Sequence, residues 1–316
     1  MRVTPDVALV RDVSAGLSGQ PKRLPPRWLY DDTGTALFGE ITRLPEYYLT
    51  EAERGLLVDH AAEIAKVSGA RTVVELGSGT ADKTVTLLEA FATEGLLDAF
   101  VPLDVSVEAL ELAAARVRAR LPDVDVVPME ADFSGYLPAA LDASPRMVAF
   151  LGSTIGNLYP DERRAFLDHL AASLRPGDSL LLGADLVKGA DRLIAAYDDA
   201  AGITERFILN LVTVLARELG SDLRAEDVAY VPLWDARNHR MDLRLRARRA
   251  VVATIPGAGL VVQLAEGEEI HVEISTKFHL PDLVEELGSA GLETVRTFDD
   301  GDFGLVLAVR AGKRPS

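Results

Sequence analysis

The chain has 316 residues, 48% hydrophobic and 26% charged, which is enough for a sizeable core and for one large or two ordinary domains. Its 33 basic and 49 acidic residues leave a formal net charge of −16, so its average surface repels phosphate backbones and acidic lipids, which argues against a nucleic-acid or membrane-surface role. With Cys 0 there are no disulfides, thiolate metal sites or cysteine nucleophile, and Met1-Arg2-Val3-Thr4-Pro5-Asp6 opens no long apolar run; a cytoplasmic protein is expected.

In chain order, an aromatic cluster comes first: Trp28, Tyr30, Phe38, Tyr47 and Tyr48, in a chain only 6% aromatic. Such rings pack a helical cap or line a pocket whose faces attract methylated ammonium groups. From residue 71, short apolar runs alternate with amphipathic stretches, the pattern of a parallel sheet with helices on both faces. The runs are Thr72 to Leu76, Ala99 to Leu103, Val124 to Pro128, Met147 to Leu151 and Ser179 to Gly183. Helical spacing is predicted over Lys83 to Ala92, Val107 to Arg120 and Asp161 to Leu174. A long helical pattern then covers Asp191 to Glu218, followed by a half-exposed antiparallel strand over His239 to Ala247. The end of the chain reads as a helix, Leu280 to Ala290, and two strands, Glu293 to Phe298 and Gly304 to Arg310, paired through Asp299-Asp300-Gly301-Asp302. Residues from roughly 190 to 276 therefore read as an insertion between two parts of one nucleotide-binding fold.

The run Val73-Val74-Glu75-Leu76-Gly77-Ser78-Gly79-Thr80-Ala81-Asp82-Lys83 takes a buried strand through glycines into a helix, which lets a ligand approach the backbone. A dinucleotide fingerprint needs a third glycine where Asp82 stands, and a carboxylate there repels pyrophosphate; S-adenosylmethionine carries no phosphate and tolerates it. Asp104, at the end of the next strand, stands where a carboxylate meets a ribose diol, or else caps the following helix. Asp132-Phe133 follows the third strand and suits an adenine amino group and ring. The fourth strand ends in Gly152-Ser153-Thr154-Ile155-Gly156-Asn157, where Asn157 offers a donor and an acceptor to a zwitterion. None of the histidines, His60, His169, His239, His271 and His279, has metal-ligand spacing, and none is assigned to a metal.

Four stretches, Leu44-Pro45-Glu46-Tyr47-Tyr48, Glu75 to Thr80, Phe150 to Asn157 and Glu273-Ile274-Ser275-Thr276-Lys277-Phe278, together resemble the histidine-specific Nα-methyltransferases of ergothioneine biosynthesis. Leu182 to Lys188 and Gly301-Asp302-Phe303-Gly304-Leu305 extend the likeness over nearly the whole chain. The resemblance implies a Rossmann-like class I methyltransferase sheet, mostly parallel with a C-terminal antiparallel hairpin, and an inserted α+β substrate domain. It implies a cofactor domain at 11–189 and 277–316 and a substrate domain at 1–10 and 190–276. It further implies trimethylation of the α-amino group of L-histidine to hercynine by S-adenosyl-L-methionine. Gly77, Ser78, Lys83, Asp104, Asp132 and Phe133 would contact the cofactor, and Tyr47 both cofactor and substrate. Tyr30, Phe38, Gly152, Asn157 and Tyr197 would surround the amino acid, with Tyr30 and Asn157 orienting the amine, and Glu273 and Ser275 would read the imidazole. Leu243 stands where the family commonly has methionine, a swap of similar volume that bears on side-chain preference. The expected partners are L-histidine and its mono- and dimethylated forms, with no nucleic acid, no membrane and a monomeric chain. The alternatives are an N-methyltransferase of other amino acids or amines and a non-catalytic adenosyl-ligand binding protein; an NAD oxidoreductase is opposed by Asp82.

Overall fold

The computed structural model describes residues 6–131 and 145–310. The first elements are α1 (Val7–Ser18), β1 (Lys22–Arg23), α2 (Asp32–Ile41), α3 (Leu49–Ser68), β2 (Thr72–Leu76), α4 (Thr84–Thr93), β3 (Ala99–Asp104) and α5 (Val107–Arg120). Next come β4 (Asp125–Val126), β5 (Met129–Glu130), β6 (Arg146–Phe150), α6 (Pro160–Ser173), β7 (Ser179–Asp185), α7 (Ala190–Tyr197) and α8 (Ile203–Leu219). The chain continues through β8 (Val228–Asp235), β9 (Arg240–Ala247), β10 (Val251–Ile255), β11 (Leu260–Leu264) and β12 (Glu269–Thr276), and closes with α9 (Leu280–Ser289), β13 (Leu292–Asp299) and β14 (Phe303–Arg310). Two compact units result: Met1–Tyr48 with Lys188–Ser275, and Leu49–Val187 with Thr276–Ser316.

The unit formed by Leu49–Val187 and Thr276–Ser316 holds a sheet in the order β13-β14-β7-β6-β2-β3-β4, with β5 also pairing β3. Strands β7, β6, β2, β3, β4 and β5 run parallel, while β14 is antiparallel to β7 and to β13. Every residue of β2, β6 and β7 is buried, so these strands read as near-continuous runs rather than alternating ones. Val74, Val148, Phe150 and Leu182 from the sheet join Phe166, Leu170, Leu283 and Leu287 from the helices in one core cluster. Strand order reverses beside β2, where β3 lies on one side and β6 on the other, and such a switch point opens a crevice at the carboxyl ends of the strands. The predicted strand over Val124 to Pro128 is instead two two-residue pieces, β4 and β5, because Pro128 has no N–H to give the ladder. The C-terminal pair is antiparallel as predicted, and its turn is closed by the N–H groups of Asp302 and Phe303 donating to Asp300 Oδ1.

The unit formed by Met1–Tyr48 and Lys188–Ser275 holds a sheet in the order β1-β12-β9-β8 and a separate antiparallel hairpin, β10-β11. β9 is antiparallel to β8, with Leu243 opposite Pro232. The long helix predicted from Asp191 to Glu218 is broken into α7 and α8, because the Asp199 carboxylate accepts from the N–H groups of Ile203 and Thr204, at 2.8 Å each, and Gly202 turns into the left-handed region. Residues 11–48, expected with the cofactor domain, belong instead to this unit. The cause is a tie between α2 and α8: Asp31 accepts from Gly34 N at 2.8 Å, Asn210 Nδ2 at 2.7 Å and Arg217 Nη1 at 2.6 Å. Among the described residues no helix is long and apolar enough to cross a membrane.

Candidate functional site

In the unit of Leu49–Val187 and Thr276–Ser316, β2 delivers Gly77 and Ser78 to the switch point, where both N–H groups donate to the Leu103 carbonyl at 2.9 and 3.0 Å. Gly79 then adopts φ +49°, a left-handed conformation that a side chain disfavours. Its N–H donates to Asp104 Oδ2 at 2.8 Å, and Asp104 Oδ1 accepts from Ser106 N at 3.0 Å. Asp104 therefore braces the glycine turn, and the cap of α5 is Ser106, whose Oγ accepts from Ala109 N. Asp82 does not cap α4 either; it pairs with Arg54 at 2.6 Å and with Arg116 at 3.6 Å, which compensates its charge.

Around that turn acidic and basic groups stand close together. Glu75, at the end of β2, is buried, and burial above all pushes its carboxyl up to about 8, with the nearby Glu53 and Asp104 charges adding to the rise and Thr84 and Lys83 opposing it. Thr84 Oγ1 donates to Glu75 Oε1 at 2.5 Å, while Glu75 Oε2 and Ser78 Oγ are buried without a hydrogen-bond partner among the described residues. Unsatisfied buried polar atoms are uncommon in folded proteins and call for a partner outside the chain's own side chains or for a special role. Lys83 pairs with Glu53. With Glu75 neutral, the Glu53 and Asp104 carboxylates and the Lys83 ammonium leave no excess of positive charge here, which disfavours a pyrophosphate. Asp132 and Phe133, the expected adenine contacts, lie outside the described residues.

Asn157 ends a 3₁₀ turn, Thr154–Asn157, that follows Gly152 and Ser153. It does not cap the next helix, since that position is Tyr159, whose N–H donates to Glu162. Ser153 holds the turn to β7 by accepting from Asp185 N at 2.9 Å, and Asp185 forms an ion pair of 2.7 Å with Lys277, both side chains fully buried.

In the unit of Met1–Tyr48 and Lys188–Ser275, the expected substrate residues form a linked aromatic array. Tyr30 meets Phe38 edge-on at 5.5 Å, Phe38 meets Tyr47 at 6.3 Å, and Tyr47 meets Tyr197 at 6.3 Å. Tyr197 Oη donates to Ser275 Oγ at 2.8 Å, so the ring array connects directly to one of the two residues expected to read an imidazole. Glu273, half-buried, lies two residues before Ser275 on β12, and Leu243, buried, is on the neighbouring β9.

Three residues that the sequence did not single out belong to these groups. Phe207 on α8 packs on Tyr30 at 5.3 Å and on Phe38 at 5.9 Å; its helical spacing is that of any core residue. Tyr230 donates to the Tyr197 carbonyl at 2.7 Å, and its phenol is held well above the ordinary range by burial first and by the Glu273 charge next. Glu53 sits in a run of charges, Glu51-Ala52-Glu53-Arg54, that reads as a solvated face, yet it is fully buried.

Residues 9–310 match the family described as histidine-specific methyltransferase, SAM-dependent. A histidine N-alpha-methyltransferase of Mycolicibacterium smegmatis is 47% identical over 305 residues, covering 96% of this chain and 95% of that protein. Its namesake in Mycobacterium tuberculosis is 44% identical over 306 residues, covering 96% and 95%. Ergothioneine biosynthesis protein 1 of Neurospora crassa is 36% identical over 198 residues, covering 60% of this chain and 22% of that protein.

Proposed function

Because the chain belongs to the family of histidine-specific, S-adenosylmethionine-dependent methyltransferases, we infer that it methylates the α-amino nitrogen of L-histidine, three times in succession, giving hercynine for ergothioneine biosynthesis. The match of residues 9–310 carries this reading. The glycine turn, with Glu75 Oε2 and Ser78 Oγ buried without a hydrogen-bond partner among the described residues, supports the cofactor assignment. When bound, S-adenosylmethionine supplies an electrophilic methyl group on a sulfonium.

The chain's own residues have positioning to do. An amine attacks only through a free lone pair, so each of the three methylations requires loss of a proton from the ammonium nitrogen, and the trimethylated product, with no proton left to lose, keeps its charge. Tyr30 and Asn157 are assigned to orient the amine, with the proton passing to water; Gly152 and Tyr197 join Asn157 around the amino acid, and Phe38 and Tyr47 wall it. Glu273 and Ser275 present an acceptor and a donor to the two imidazole nitrogens, and Leu243 sets the apolar side of that recognition. Gly77, Ser78, Lys83 and Asp104 hold the cofactor, with Asp132 and Phe133 on its adenine. The excess of 49 acidic over 33 basic residues supports a small-molecule substrate and not nucleic acid. A cytoplasmic monomer completes the reading, and the absence of cysteine is compatible with a reducing compartment.

Mass spectrometry after incubation with S-adenosylmethionine and each amino acid in turn tests it, with mono-, di- and trimethylhistidine appearing in sequence as the expected result. A different preferred amino acid, or cofactor binding without any product, overturns it in favour of one of the alternatives. Tyr30→Phe should lower kcat/KM for histidine about tenfold or more with the cofactor Kd unchanged; equal loss in both removes Tyr30 from the amine. Tyr197→Phe deletes the 2.8 Å hydrogen bond to Ser275. A neutral hydrogen bond is worth about 1 kcal/mol, so the KM for histidine should rise roughly fivefold in steady-state assays.

A further inference from the structure

We propose that Glu53 is a positioning residue that locks Lys83 and the turn beginning at Gly152 to one buried carboxylate, an inference that rests on the roles given above to Lys83 and Asn157. Glu53 occupies a core position of α3, in line with Leu49, Leu56 and Leu57, and is fully buried, which is rare for glutamate unless it is paired. Each of its oxygens has a different duty. Oε2 holds the Lys83 ammonium just before α4, and Oε1 accepts from Gly152 N at 2.7 Å, at the entry to the Thr154–Asn157 turn. A third element leaves room for the carboxylate: a Cβ built at Gly183 on β7 would stand 2.2 Å from Glu53 Oε1. One side chain from α3 thus fills the space left by a glycine in the sheet and fixes two segments, one from the cofactor turn and one from the substrate turn. Lys83 keeps 21% of its side chain exposed, so its ammonium can serve Glu53 and still meet the carboxylate of a methionine moiety.

Three variants test this, each measured by calorimetry with S-adenosylmethionine and by steady-state kinetics with histidine, and each checked for folding by circular dichroism. Glu53→Gln keeps a carbonyl oxygen for Gly152 but offers Lys83 no charge; the cofactor Kd should rise about tenfold or more, as expected when one partner of a buried charge pair is lost. Glu53→Ala removes both duties, so kcat at saturating substrates should fall at least about tenfold below that of Glu53→Gln. Gly183→Ala touches no charge and displaces the carboxylate, and should shift Kd and kcat in the direction of Glu53→Ala. If Glu53→Ala does not fold, Glu53→Gln and Gly183→Ala decide. An unchanged Kd in Glu53→Gln, or equal kcat in Glu53→Gln and Glu53→Ala, overturns the proposal. A wild type that binds cofactor but does not methylate histidine sinks the proposed function and leaves the Lys83 arm to be read by calorimetry; one that binds no cofactor sinks both.

Discussion

Asp104→Ala should weaken S-adenosylmethionine binding by about two to four orders of magnitude, because the carboxylate is assigned two ribose hydroxyls and a hydrogen bond to a charged group is worth about 1.5–3 kcal/mol. The same side chain braces the turn through Gly79 N at 2.8 Å and Ser106 N at 3.0 Å. Removing it therefore leaves two loop N–H groups without that acceptor, and the turn loses the shape it offers a ligand. Asp104→Asn keeps a carbonyl oxygen for one N–H and should fall between the wild type and Asp104→Ala in calorimetry. A loss below about fivefold for Asp104→Ala is less than one charged hydrogen bond supplies, and it would move the ribose elsewhere.

Glu75→Gln should make the protein more stable than the wild type above neutral pH, with the gap widening up to about pH 8. The Glu75 carboxyl ordinarily loses its proton near 4.5, and burial holds that proton in the folded chain up to about 8. Between those values the unfolded chain is ionised and the folded chain is not, so folding takes up a proton and stability falls as pH rises. The contribution is fully present below pH 4.5, and its loss is complete once the pH has passed through about 8. A shift of this size corresponds to a few kcal/mol, on the order of 1.4 per pH unit. The groups that face Glu75 are Thr84, Lys83, Glu53 and Asp104, and all four remain in the variant. Urea denaturation of both proteins from pH 5 to pH 9 measures the difference. Parallel curves over that range would mean that Glu75 is ionised in the folded protein, and its unpartnered Oε2 would then need another explanation.

Local pattern accounts for much of the architecture. The runs at Thr72, Ala99, Met147 and Ser179 become strands within two residues of their predicted limits, and Val107 to Arg120 is helical as predicted. Gly77-Ser78-Gly79 and Asp104 were legible because a strand that ends at a glycine turn, followed by an acid at the end of the next strand, is a pattern carried in chain order. Tyr30, Phe38, Tyr47 and Tyr197 stood out only in part: composition marked the first three, and the likeness to a family added the fourth.

The alternation of strands and helices, the glycine turn with its acid and the aromatic excess can all be read along the chain, since each depends on neighbours a few positions apart. The tertiary structure decided which distant residues share an environment. It grouped residues 11–48 with the segment from Lys188 to Ser275 and set Tyr197 against Ser275, 78 positions away. It also brought Glu53 to Gly152 across 99 positions. Glu53 shows the physical reason: in the chain it sits among charges and reads as solvated, and only the order of strands in the sheet places Lys83, Gly152 and the space beside Gly183 around one carboxylate.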